Sequence, residues 1–398
     1  MISGFDYRPA IIVNLDISRL PKATYIFYIL DGLMKIMSNG ILQLDRVKGA
    51  PHCNTRGGCS LVGDERGDEN IALLTVHTMW VREHNRIVRE LKKLNPGWDN
   101  NRLYQTTRKV IGALLQHITY NEFVPLLLRK LQPYKGKHNP AINPSLINGF
   151  ATAAFRFGHS LIPNEFAQLD SGFNVKEKPV ALQEAFFNRE WVVKNGIESI
   201  VFGLVKNSSK EVDDKFSFTI ARKLFVGTGQ AGHLDLTALN IQRGRDHGIP
   251  PYTKYRKICK MKSIVNWAQL KYIMVPGAAE RLRKIYASVE DIDLFAGGIA
   301  EIHLNGLMVG PTFNCILKLQ FEALRDGDRF YYEAKGVFTP AQLHAIKKTS
   351  LSTVMCNNLK GIVSIQPRAL LGDGPGNKRV ECKGSSKIKQ LDLAPWKG

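Results

Sequence analysis

Long apolar runs are absent from this 398-residue sequence. The most apolar early stretch, Ala23 to Leu30, is cut off by Asp31. It falls far short of the roughly 20 residues a helix needs to cross a bilayer. A secretory leader is not visible either: Met1 to Leu20 carries Asp6, Arg8, Asp16 and Arg19 and no sustained apolar core. No two cysteines are spaced C-x-x-C, which speaks against a zinc ribbon or a thioredoxin-like site. Phosphate-cradling glycine loops are missing. His77 and His84 stand seven apart with Glu83 beside the second, whereas a zinc protease needs its two histidines four apart. Arg66-Gly67-Asp68 spells an adhesion tripeptide, but it leads straight into a helix and reads as chance.

Acidic residues are also scarce, 35 against 55 Lys and Arg, a net charge of +20. Such an excess suits nucleic acid, an anionic surface or acidic extracellular polymers. The basic clusters at Lys254–Lys262, Arg281–Lys284 and Lys378–Lys389 lack the aromatic interleaving of a nucleic-acid groove. Nucleic-acid binding, which rests on charge alone, is therefore set aside, and an anionic surface or acidic extracellular polymers stay open. Asn207-Ser208-Ser209 is a glycosylation sequon, and the six cysteines without a visible leader are read either as free thiols of a cytosolic protein or as belonging to a chain that has lost its natural beginning.

Hydrophobic residues make up 44% of the chain, enough for a large core without disulfides. Period-two signals are few, and repeats and low-complexity segments are lacking. Asp68–Leu94 carries Leu74, Val81 and Val88 seven apart, flanked by Ile71, Ile87 and Leu91, one apolar stripe at helical period. Acidic residues at its start, Lys92 and Lys93 at its end and Asn95-Pro96-Gly97 beyond suit the helix dipole. A second helix is predicted over 102–117. Thr339-Pro340-Ala341-Gln342 predicts a helix start with a capping box. Residues 139–148 and 372–383 read as short linkers. The expected fold class is mainly α, a single large helical domain with few short strands.

Arg66 and Glu69, Arg156 and His159, and Asn240 and Arg243 are each three apart, which on a helix puts both members on one face. By pattern alone, His159 in its small, apolar context reads as a buried structural histidine. Arg156 beside it wants a carboxylate. A haem supplies both an iron for the histidine and propionates for the arginine.

The stretch Phe150 to Pro163 closely resembles the proximal-histidine segment of the animal haem peroxidases. The resemblance continues, in the family's order, through Gly63–Arg66, Arg82–Arg86, Leu239–Gly248, Val309–Phe313 and Leu324–Phe330, within a similar region from about Asp31 to Trp396. It implies a haem b cofactor with His159 as axial iron ligand. Asn240 would accept the His159 ring N–H, and Arg156 and Arg243 would hold the propionates. Arg66 would be the distal arginine acting on the outer peroxide oxygen. Glu69 matches the glutamate that esterifies a haem methyl. Asn70 stands where myeloperoxidase has a methionine, so the sulfonium link is expected to be absent. The resemblance also implies the pairs Cys53–Cys59, Cys259–Cys315 and Cys356–Cys382. It implies secretion, and a peroxidase that reduces hydrogen peroxide and oxidises halide or phenolic donors through a ferryl species, in the response to oxidative stress.

The family's distal segment, with its acid–base histidine and calcium-ligating aspartate, has no counterpart in Met1–Leu30, and no histidine precedes His52. The calcium loop is likewise not recognisable. Residues 1–30 are expected to be atypical and 31–398 an N-terminally truncated domain of the family. A second expectation is therefore a catalytically impaired, peroxidase-like protein that binds the extracellular matrix.

Overall fold

The apolar stripe of the longest helix sets the centre of the molecule. In a computed structural model, which describes residues 32–44, 56–228 and 234–398, α1 runs over Ile71–Leu94. It buries Ile71, Leu74, Ile87, Val88 and Leu91. It begins later than the acidic pair suggested. Asp68 ends a 3-10 turn, Glu65–Asp68, and its carboxylate accepts the Ser60 N–H at 2.6 Å. Asn70 is the cap, accepting from the Leu73 N–H at 3.0 Å. An amide oxygen takes one of the donors that a helix start leaves unpaired.

After Asn95 the chain turns back into α2, Asn100–Ile118, capped by Asp99. A π-helical turn, Thr119–Phe123, follows without a break. The Arg82–Arg86 block of α1 is structural. Arg82 donates to Gly40 O and to Glu198 at the start of α3, Glu198–Lys206. Asn85 exchanges both amide bonds with Met34. His84 donates to Gly32 O at 3.1 Å, and burial pushes its pKa down to about 4. That histidine is a tie for the 32–44 segment and is kept neutral.

Strands are as sparse as expected. β1, Glu165–Leu169, pairs antiparallel with β2, Val175–Ala181. A two-residue ladder joins β3, Ser364–Ile365, to β4, Val380–Glu381. α3 packs against β1. Gly203 permits this, because a Cβ there would collide with the Ala167 carbonyl oxygen.

The C-terminal half supplies α4, Leu236–Asp246, α5, Tyr252–Ile258, α6, Leu294–Ile299, and α7, Pro311–Asp326. α8, Pro340–Lys347, and α9, Leu351–Asn358, follow. The capping box at Thr339 and Gln342 is formed. Residues 372–383 are not a linker. Asn377 bonds both ways with Arg368 and donates to Gly372 O, β4 lies there, and Cys382 pairs with Cys356. Cys259 pairs with Cys315. The third expected pair involves Cys53, which lies outside the described residues. No described helix is long and apolar enough to cross a membrane.

One half-buried acid in the π-helical turn, Glu122, gives the fold a measurable pH dependence. Glu122 accepts the Leu351 N–H at 2.8 Å, while its other oxygen is sealed without a partner. Desolvation pushes its pKa up to about 7. The folded state therefore binds this proton more tightly than the unfolded chain does. The stability it contributes is full below the ordinary carboxylate pKa and is lost as pH rises through about 7. Glu122→Gln, which is neutral at every pH, is expected to stabilise the protein at pH 8 by on the order of 2 kcal/mol and to change little at pH 4. Denaturant midpoints at the two pH values check this.

Candidate functional site

The proximal segment folds so that its apolar and polar side chains part company. A short helix, Asn148–Thr152, ends at Ala153, and a 3-10 helix runs over Ala154–Leu161. Phe155 stacks on Phe150 with centroids 4.7 Å apart, both meet Phe321 of α7 edge-on, and Phe157 is buried. The sequence suggested that Arg156 and His159 share an α-helical face. In a 3-10 helix, residues three apart eclipse one another, so they are aligned more closely still.

Asn240 comes from α4, whose start is capped by Asp235 accepting from Thr237 and Ala238 N–H groups. It is completely buried. Its amide meets His159 Nδ1, with Nδ2 at 3.0 Å and Oδ1 at 3.2 Å. Arg156 donates to the same Oδ1 at 3.1 Å and to Ala151 O at 3.0 Å. Nδ1 is thereby committed, and Nε2 has no partner among the described residues. Desolvation, followed by the charge of Arg156, pushes His159 down to about 4. The ring is a neutral imidazole at physiological pH, with a lone pair to offer.

Arg156 and Arg243 repel one another. Desolvation and then the Arg243 charge lower the Arg156 pKa. Neither forms an ion pair with a carboxylate among the described residues. Two neighbouring guanidinium groups without an acid form a place for an anion.

The second cluster lies at the start of α1. Asp64 caps the 3-10 turn and takes a two-pronged contact from Arg66, Nε to Oδ1 at 3.0 Å and a terminal nitrogen to Oδ2 at 2.7 Å. This guanidinium holds Asp64 down at about 2. Arg66 is 51% exposed. Glu69 lies one residue before the Asn70 cap, its carbonyl accepting from Phe187 N–H at 3.1 Å. Desolvation pushes its carboxyl up to about 7. Desolvation also lowers His77 on α1, which lies within the fields of Asp64 and Arg66.

The structure thus gathers the expected residues into two groups: His159, Asn240, Arg156 and Arg243 in one, Arg66 and Glu69 in the other. No hydrogen bond or ion pair joins the groups among the described residues. Sequence reasoning gave Asp64 no role and set His77 aside. An aspartate two residues before Arg66, opening a turn, was the available signal for the first. His77 had none, because its neighbours approach from another turn of the chain.

The chain is similar along most of its length to known proteins. The family model for the animal haem peroxidase domain matches residues 28–370. A peroxidasin homolog of Caenorhabditis briggsae is 40% identical over 349 residues, covering 85% of this chain and 27% of that protein. The human peroxidasin homolog is 43% identical over 317 residues, 77% of this chain and 21% of its own length. Rat thyroid peroxidase is 39% identical over 363 residues, covering 88% and 39% respectively. The chain therefore spans about a quarter of the length of the peroxidasin relatives. Among solved structures, peroxidase A of Dictyostelium discoideum superposes with a TM-score of 0.77 at 32% identity, over 86% of this chain and 67% of that one. A rice fatty acid alpha-dioxygenase, at 21% identity and a TM-score of 0.69, shares the fold. With the expected blocks in order on a helical scaffold and the domain matched from 28 to 370, this chain belongs to the animal haem peroxidase family.

Proposed function

We propose that residues 31–398 form a haem b domain with peroxidase chemistry. The observation that carries this reading is the proximal group. A neutral imidazole, His159, has one nitrogen fixed by Asn240 and the other unpartnered, beside two arginines that lack an acid. These residues fit a haem. His159 Nε2 would ligate the iron, Asn240 would keep Nδ1 engaged and the ring oriented, and Arg156 and Arg243 would hold the propionates. When bound, haem supplies an iron that peroxide can oxidise and an electron donor can re-reduce. Arg66 would stabilise negative charge on a peroxide oxygen once its guanidinium exchanges Asp64 for that oxygen. Glu69, protonated over much of the neutral range, would be the point of covalent attachment.

Halides or phenolic compounds are the donors in this reading. The setting is extracellular, supported by the disulfides, by the exposed sequon residue Asn207 and by a basic surface suited to anionic matrix. One observation favours the impaired, matrix-binding alternative: Arg66 is turned to Asp64 and half-exposed. Haem-loaded protein is expected to oxidise a phenolic donor only when peroxide is added. Haem binding with no peroxide-dependent oxidation would select the alternative.

The propionate assignment has its own check. Replacing both Arg156 and Arg243 by alanine is expected to weaken haem binding about 10- to 100-fold, the worth of hydrogen bonds to charged groups. Haem dimethyl ester, which has no carboxylates, is expected to bind the wild type and the double variant alike. Titrations followed by absorption compare the two.

A further inference from the structure

A cleft of about 290 Å³ opens beyond the C-terminal end of α1, where the turn into α2, the start of α8 and residues 395–398 meet. α1 has 24 residues and so spans about 36 Å. That length sets the cleft at the opposite end of the helix from Arg66 and Glu69, and the proximal group contributes no residue to it. Three rings form its walls. Trp98 is only 8% exposed, Trp396 is buried, and Phe338 meets Trp396 edge-on with centroids 6.3 Å apart. Three exposed cations rim it: Arg102, Lys109 and Lys397. The Arg102 guanidinium lies 4.2 Å from the centre of the Trp98 ring, and the Lys109 ammonium 4.6 Å from that of Phe338. None of the three pairs with a carboxylate among the described residues. No aspartate or glutamate lines the cleft, so at most one carboxylate, at Gly398, stands against the three charges.

The 395–398 wall is fixed without those cations. Gln342 donates to Pro395 O at 3.1 Å, and Asn95 donates to Trp396 O at 3.1 Å and accepts the Gly398 N–H at 2.9 Å. The Trp98 indole N–H is buried without a partner, whereas a buried indole usually finds one. Its side of the ring faces Gly398, where a Cβ would lie 3.9 Å from Trp98 Cζ2 and 3.6 Å from an Arg102 terminal nitrogen. An unused N–H and an unpaired guanidinium therefore converge on one side of the cleft. We infer that this cleft binds a small aromatic anion, its ring among Trp98, Phe338 and Trp396 and its anionic head on Arg102 and Lys109. The planar guanidinium fork matches two carboxylate oxygens, and aromatic walls take a ring by offset stacking or edge to face. The rim repels a cation, and a neutral ring would leave the charges unpaired. The volume lies at the small end of ligand pockets, which run from roughly 300 to 1,000 Å³, and suits one or two rings. This site goes beyond the haem reading and does not depend on it.

Calorimetric titration with naphthoate tests this. One molecule per chain is expected to bind. Naphthamide, its neutral counterpart, is expected to bind at least about tenfold more weakly, the worth of hydrogen bonds to a charged group. The double variant Arg102→Gln, Lys109→Gln is expected to lose at least about tenfold in naphthoate affinity, with its circular dichroism unchanged because both side chains are exposed. Replacing Arg156 and Arg243 by alanine is expected to leave naphthoate binding as it is, which separates this cleft from the other unpaired arginines. Absence of naphthoate binding, equal binding of naphthamide, or wild-type affinity in the Arg102, Lys109 variant would overturn the inference. Loss of binding in the Arg156, Arg243 variant would do the same. Inorganic phosphate bound as tightly as naphthoate would also overturn it, since the rings would then add nothing. A sulfated polysaccharide that bound more tightly than naphthoate, and weakened in the Arg102, Lys109 variant, would reveal a surface for a polymer instead. If the double variant misfolds, the comparison of naphthoate with naphthamide on the wild type still decides.

Discussion

Replacing His159 by alanine is expected to weaken haem binding by more than the roughly 100-fold that loss of a supporting hydrogen bond costs a metal site. The substitution removes a neutral imidazole whose Nε2 has no partner among the described residues. It leaves Asn240, Arg156 and Arg243 in place, so residual binding through the propionates persists. Added imidazole is expected to restore part of the affinity by occupying the space of the lost ring. The fold should be retained, because among the described residues His159 bonds only to Asn240. Haem titration followed by absorption, with and without imidazole, checks both statements. Equal affinity in the variant would remove His159 from the site.

Glu301→Gln is expected to destabilise the protein by roughly 3 to 5 kcal/mol, because it strands a buried charge. Glu301 has no exposed surface. One oxygen accepts from Tyr252, Arg256 and Thr312 hydroxyl or guanidinium groups at 2.6, 2.8 and 2.6 Å. The other accepts the Thr312 N–H at 2.7 Å, at the start of α7. A glutamine would point an N–H at one of these donors and leave Arg256 without a counter-charge. The damage should travel, since α5 packs on α6, and α6 on the α4 that carries Asn240. Denaturant unfolding measures the loss as a lowered midpoint. A change below about 1 kcal/mol would show that water replaces the carboxylate.

Local features of the chain were the most legible. The stripe of α1, the Thr339 capping box and the second helix, expected over 102–117 and found over Asn100–Ile118, depend on neighbours within a turn or two, and the sequence displays those neighbours. The three pairs spaced by three were visible for the same reason, although only Asn240 and Arg243 share an α-helix: Arg156 and His159 lie on a 3-10 helix, and Arg66 lies in a 3-10 turn that Glu69 follows. The start of α1 was misplaced because Asp68 answers to Ser60, eight residues back, which helix-dipole reasoning does not include. Residues 372–383 have the composition of a linker, but Asn377 and Cys382 fasten them to Arg368 and Cys356. His77 was passed over because its charged neighbours come from a separate turn, and only folding brings them within its field. The blocks that looked most chemical divide accordingly: Arg82–Arg86 holds the scaffold together, while Asp64 pairs with Arg66 and both charges act on His77.

The central claim is that His159 holds a haem through Nε2 while Asn240 holds its other nitrogen. A crystal structure of the haem-loaded chain tests it most directly. The account predicts iron bound to His159 Nε2, Asn240 on Nδ1, and the propionates against Arg156 and Arg243. Haem bound elsewhere, or iron ligated by any other residue of this chain in that position, would contradict it.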